Sequence, residues 1–152
     1  MDDTSEPFAS GRLRRLLLAL VAVVFAGMAV DLCLLGHYEE TWQVLPLAMI
    51  AVALLAAAWM ALTWSAWSVT IFRIVMLLVV LTGAVGVGMH FSGSREFHIE
   101  MDPALTGWAL FVKIMRAKAP PTLAPAAMVQ VGLFGLLSTW RHPALGVPPM
   151  ES

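Results

Sequence analysis

Charge is scarce in this chain. Only 12% of its 152 residues are Asp, Glu, Lys or Arg, while 60% are hydrophobic. A soluble globular domain carries about 25% charged and about 45–50% apolar residues, so a water-facing surface of ordinary composition is excluded. Cysteine is scarcer still: one residue, Cys33, excludes an internal disulfide and a CxxC redox pair. It lies inside an apolar run, where an inert thiol is expected. Enzyme signatures are missing too, with no GxSxG, no Walker sequence and no GxGxxG opening a helix. Ser and Thr are sparse, and none sits beside a histidine as an activated nucleophile would. The net charge of −1 gives no reason to expect nucleic acid as a partner. Heptads, repeats, low-complexity tracts and lipidation signals are absent as well.

Long apolar runs are what the chain does have. Residues Leu16 to Leu35, LLLALVAVVFAGMAVDLCLL, form a run of twenty broken by one acid, Asp31. At about 1.5 Å per residue, a helix of this length crosses a hydrocarbon core of roughly 30 Å. Further runs at about 43–63, 69–89 and 123–140 follow. The predicted fold is an all-α integral membrane protein of four transmembrane helices in one domain, 16–140. An amphipathic interfacial helix is expected between the third and fourth spans. Residues 1–15 read as a tail, acidic through Asp2, Asp3 and Glu6 and ending in Arg12, Arg14 and Arg15. These arginines imitate the n-region of a signal peptide. The apolar run exceeds the roughly 7–15 residues of a signal h-region, so an uncleaved helix is expected.

Within the runs, single residues carry particular expectations. Pro46 sits near the first turn of the second span, where a missing N–H is tolerated. Ala53, Ala57 and Ala61 recur every four residues and predict a close helix contact. Trp64 and Trp67 mark an interface, and the few residues between spans two and three require an antiparallel hairpin. Arg73 is close enough to the end of its span to snorkel to the headgroups. Gly83, Gly86 and Gly88, with Ala84, predict a smooth face; Ala84 and Gly88 have the small-xxx-small spacing. The segment His90–Leu105 (HFSGSREFHIEMDPAL) reads as the only long loop. In 106–119, Lys113, Arg116 and Lys118 oppose Trp108, Phe111, Val112 and Met115, the pattern of a helix lying in the headgroup plane. Pro120, Pro121 and Pro125 stop it. The fourth span contains Gln130, Gly132 and Gly135; Arg141 closes it, and the proline-rich end 141–152 reads as disordered. Lipid-interface residues are thus Trp42, Trp64, Trp67, Trp108, Lys113, Arg116 and Trp140.

Basic residues orient the chain. With the N-terminus inside, Arg12, Arg14, Arg15, Arg73 and Arg141 are cytoplasmic, and Arg95, Lys113, Arg116 and Lys118 are outside. The first helix usually dominates, which predicts both termini in the cytoplasm of a bacterial-type plasma membrane.

Four spans bring the ends of the first and third helices to one side, gathering His37 and Glu39 near His90, Glu96 and His98. His37, His90, His98 and Glu96 are the candidate ligands of a divalent metal. An extended backbone would align Glu96, His98 and Glu100 on one face. His37 and His90 are also candidate axial ligands of a haem. No tight spacing such as HExxH supports either cofactor, and a solvated acidic loop is the simpler reading. Asp31 is the most informative intramembrane residue, since a carboxylate there usually faces the bundle interior or a partner. Gln43 and Gln130 are expected to hydrogen-bond between helices. The ten methionines read as packing rather than a copper pathway.

Together these features favour a non-catalytic accessory or scaffold subunit of a larger membrane complex. Its expected partners are the lipid bilayer and either other membrane chains or copies of itself. The alternatives are a small oligomeric transporter or channel using Asp31, and a metal- or haem-binding protein using the outer histidines.

Overall fold

A computed structural model describes residues 6–117, 120 and 122–146, with backbone alone for 6–10. Its helices are α1 (Glu6–Leu34), α2 (Thr41–Thr63), α3 (Ala66–Met101), α4 (Gly107–Met115) and α5 (Leu123–Ser138). A 3-10 turn at Pro143–Leu145 follows. Three helices are long and apolar enough to cross a membrane: α1 from Gly11, α2 and α3. The apolar α5 has 16 residues. At about 1.5 Å per residue it reaches roughly 24 Å, short of a 30 Å core. Length and composition thus support three of the four expected spans. Lys118, Pro121 and the termini 1–5 and 147–152 lie outside the described residues.

The helices form a square. α1 packs on α2 and α5, and α3 packs on the same two, so α1 and α3 occupy opposite corners. Neighbours are antiparallel. Gly86 and Gly83 of α3 face Pro125 of α5, while Gly132 and Gly135 face Met76. The core is the inner stripe of each helix: Val21 and Phe25, Ile50 and Ala53, Phe72 and Met76, Met128 and Val131. These positions recur at three or four residues, the helical repeat. In the most apolar window of each long helix no more than 28% is buried. Such an apolar exterior is of the kind that contacts lipid or other protein.

Local signals set the helix ends. Gly36, at φ +66°, closes α1. The His37 N–H donates to the Leu32 carbonyl at 2.9 Å and the Gly36 N–H to the Cys33 carbonyl at 3.1 Å. That pair of bonds is the Schellman pattern, and it uses the left-handed conformation glycine adopts freely. α2 ends on Trp64 at φ +47°, and Ser65 caps α3 by accepting from the Ser68 N–H at 3.2 Å. The two-residue link makes α2 and α3 the expected hairpin. Pro46 is the sixth residue of α2, later than the first turn expected for it. The carbonyl of Trp42 therefore lacks its usual helical donor.

The main departure is α3. Residues 90–101 continue the helix instead of forming a loop, giving 36 residues, or about 54 Å. Gly93, Ser92 and Ser94 are weak helix formers, but the extension is covered. α4 folds back on α3, burying Leu110 and Ile114, and Phe91 meets Phe111 at 6.0 Å between ring centroids. The Asp102 carboxylate accepts from the Ala104 N–H at 3.2 Å, which helps reverse the chain. α4 is amphipathic as expected, though only nine residues long, with Lys113, Arg116 and Trp108 exposed.

Two smaller expectations also change. Residues 6–10 belong to α1 rather than to a tail, and His142–Gly146 is ordered, with Ala144 and Leu145 packed on the core. The glycine face is divided as well. Gly83 and Gly86 meet α5, whereas Ala84 is exposed and Gly88 has nothing within 4 Å of its Cβ direction. Ala53 and Ala57 are buried, and Ala61 is exposed.

Candidate functional site

Two clusters of polar side chains stand at opposite ends of the bundle. The first forms where the Schellman turn throws His37 outward beside α3. Its ring lies 6.3 Å from that of His90, with planes inclined by 19°. His37 is half-buried and His90 exposed. The rings are stacked rather than hydrogen-bonded to each other, and each offers its in-plane nitrogens to solvent or to a metal.

The remaining expected ligands do not join it. Because 90–101 is helical, Glu96 and His98 sit about 9 and 12 Å further along α3 than His90. Side chains two residues apart on a helix diverge by about 200°, so His98 is turned away from the face that Glu96 and Glu100 share. His98 lies against Phe97, at 5.5 Å between rings. Among the described residues, no group of three or more His, Cys, Asp or Glu is placed to hold a metal ion.

Asp31 lies one turn before the end of α1 and faces out from the bundle, not into it. Its carboxylate has no hydrogen bond or ion pair among the described residues. Around it Val30 and Leu34 are 57% and 81% exposed, so a single carboxylate interrupts an otherwise apolar outer surface. Cys33 is also exposed. Gln43 does not bridge helices: its Oε1 accepts from the backbone N–H groups of Glu39 and Glu40, at 3.1 and 3.3 Å, and so caps α2. Gln130 is exposed on α5, without an interhelical bond among the described residues.

The second cluster joins the first turns of α1 to the segment that follows α5. Arg14 Nη2 donates to the carbonyl oxygens of Trp140 and Arg141, both at 3.1 Å. His142 stacks on Trp64, with ring centroids 5.5 Å apart and planes inclined by 8°. This contact accompanies the left-handed backbone of Trp64, uncommon for so large a residue. Trp42, Trp67, Trp108 and Trp140 are all exposed. Trp64, Trp67 and Trp140 stand at the Arg14 end and Trp42 at the other, while Trp108 stacks on Phe111. The clasp was not visible in the sequence, where Arg14 and His142 are far apart.

Burial, and then the positive charge of Arg14, push the His142 imidazole below its ordinary 6.5. The hydrogen bond agrees, since His142 Nδ1 accepts from the Ala144 N–H at 3.2 Å and must be unprotonated to do so. The folded chain thus binds this proton less readily than the unfolded chain. Its contribution to stability is complete above pH 6.5 and is lost as pH falls through the lowered value. Resistance to detergent denaturation should therefore drop as the pH falls below 6.5. His142→Gln should reduce that dependence; an unchanged dependence would assign it to other groups.

No protein-family model matches the chain, and neither a curated protein nor a solved structure does.

Proposed function

We propose that this chain is a non-catalytic accessory or scaffold subunit that binds other membrane chains through its outer faces. The supporting observation is the character of the interior. Among the described residues, its buried polar ones are Ser68, Ser138, Thr139 and His142, all at the Arg14 end. Ser68, Ser138 and Thr139 bond within their own turns. No ionisable group lies along the bundle axis among the described residues, so a single chain offers no polar path for a solute. Polar and charged groups instead point outward, from Asp31 to the hairpin of α3 and α4. In this reading α5 completes a fourth crossing, and the arginine-bearing end, with both termini, faces the cytoplasm of a plasma membrane.

A self-assembled transporter or channel is the second reading. It is favoured by the outward carboxylate of Asp31, which a neighbouring copy would enclose. The mass of the particle released from its own membrane in mild detergent separates the two. Added mass from other chains is expected. A mass at whole multiples of 16.5 kDa would overturn the accessory reading in favour of self-assembly.

A further inference from the structure

Between α1 and α2 lies an open groove of about 690 Å³, within the roughly 300–1,000 Å³ typical of ligand sites. Ala19, Ala22, Leu54 and Ala58 line it, and Arg15 and Trp64 stand at its mouth. From Trp64 to Leu54 it follows ten residues of α2, about 15 Å. That is half of a hydrocarbon core of roughly 30 Å, the depth of one leaflet.

Charge at the mouth identifies the occupant. Arg12, Arg14, Arg15, Arg73 and Arg141 gather at this end, while every acid with a described side chain lies toward the other: Asp31, Glu39, Glu40, Glu96, Glu100 and Asp102. Arg14 is occupied by two carbonyl oxygens. Arg15 is exposed and has no partner among the described residues. We infer that the groove holds an acyl chain of an anionic membrane phospholipid, its phosphate on the Arg15 guanidinium. Guanidinium and phosphate form paired, charge-assisted hydrogen bonds, and the Trp64 indole suits the headgroup boundary. The small alanines leave space for a tail without breaking helix contacts. A two-fold second copy would bring the same arginines against this mouth, which like-charge repulsion opposes. The inference rests on the helices crossing a membrane with this end at the headgroups, and it holds for either functional reading.

Native mass spectrometry of the full chain, titrated with phosphatidylglycerol or phosphatidylcholine of identical tails, tests it. Phosphatidylglycerol should be retained about five- to tenfold more strongly. Arg15→Gln should abolish the preference, and Arg12→Gln, outside the groove, should preserve it. Ala58→Leu, at an exposed wall position, should reduce retention of both lipids. If Ala58→Leu loses its helical circular dichroism, Ala61→Leu takes its place. Equal retention of the two lipids by the unmodified chain overturns the inference. So does an effect of Arg12→Gln as large as that of Arg15→Gln, which would mean diffuse attraction to a basic end. A wall substitution that leaves lipid retention intact but dissociates a dimer would reassign the groove to a second copy. Lipid preference is read on the isolated chain, so its failure is distinct from failure of the accessory-subunit proposal.

Discussion

Gly83→Ala should destabilise the bundle, and Gly88→Ala, five residues along the same helix, should stabilise it. A Cβ at Gly83 would lie 2.7 Å from the Pro125 carbonyl oxygen, 2.8 Å from Val129 Cγ2 and 3.0 Å from the Val129 nitrogen. Two of these atoms are backbone, so relief requires α3 and α5 to separate. Overpacking of this kind costs about 1–3 kcal/mol, and the gain in helix propensity returns at most about 1 kcal/mol. A net loss of about 1–2 kcal/mol is expected. In a membrane, helix association depends on close van der Waals contact rather than on expulsion of water, which leaves little to compensate the separation. At Gly88 nothing lies within 4 Å, so only the propensity gain of roughly 0.5–1 kcal/mol operates. Unfolding by sodium dodecyl sulfate, followed by circular dichroism, measures both. Equal effects of the two substitutions would contradict the observed contact between α3 and α5.

Asp31→Leu should separate stability from assembly. A carboxylate near the middle of a membrane helix costs about 2.5–3.5 kcal/mol, and less toward an end. Asp31 stands one turn from the end of α1, faces outward and stabilises nothing in its own bundle. Its replacement should therefore leave the isolated chain unchanged or raise its stability by about 1 kcal/mol. In the native membrane the same substitution should strip partner chains from the purified particle, by roughly tenfold for an interaction of about 1.4 kcal/mol. Asp31→Asn discriminates further. It keeps a hydrogen-bonding group and should weaken assembly only partly, whereas a transporter relying on the carboxylate would lose its flux. A destabilised isolated chain with an unaltered partner set would confine Asp31 to the fold.

The expectation for 90–101 shows where reading the chain in sequence fails. Gly93, Ser92 and Ser94 argue locally for a loop, and locally the argument is sound. The helix persists because α4, more than ten residues later, covers Phe91 with Phe111. That extension carries Glu96 and His98 along α3 away from His90 and turns His98 away from Glu96, so the candidate metal set loses its geometry through secondary structure alone. The meeting of His37 and His90 was legible, because a span count places the ends of the first and third helices together. Gln43 illustrates a different limit: its role as a cap depends on α2 beginning at Thr41, two residues earlier than its apolar run suggests.

The sequence by itself determined the membrane character, the long apolar helices and the tight link between α2 and α3. Each depends on composition or on bonds within a few residues, so neighbours along the chain suffice. Only the tertiary structure decided which glycines are packed, where Asp31 faces, how Arg14 meets Trp140 and Arg141, and that a groove opens between α1 and α2. An apolar helix has no polar face to indicate which side turns inward, so its orientation is set by the shapes of distant helices packing against it.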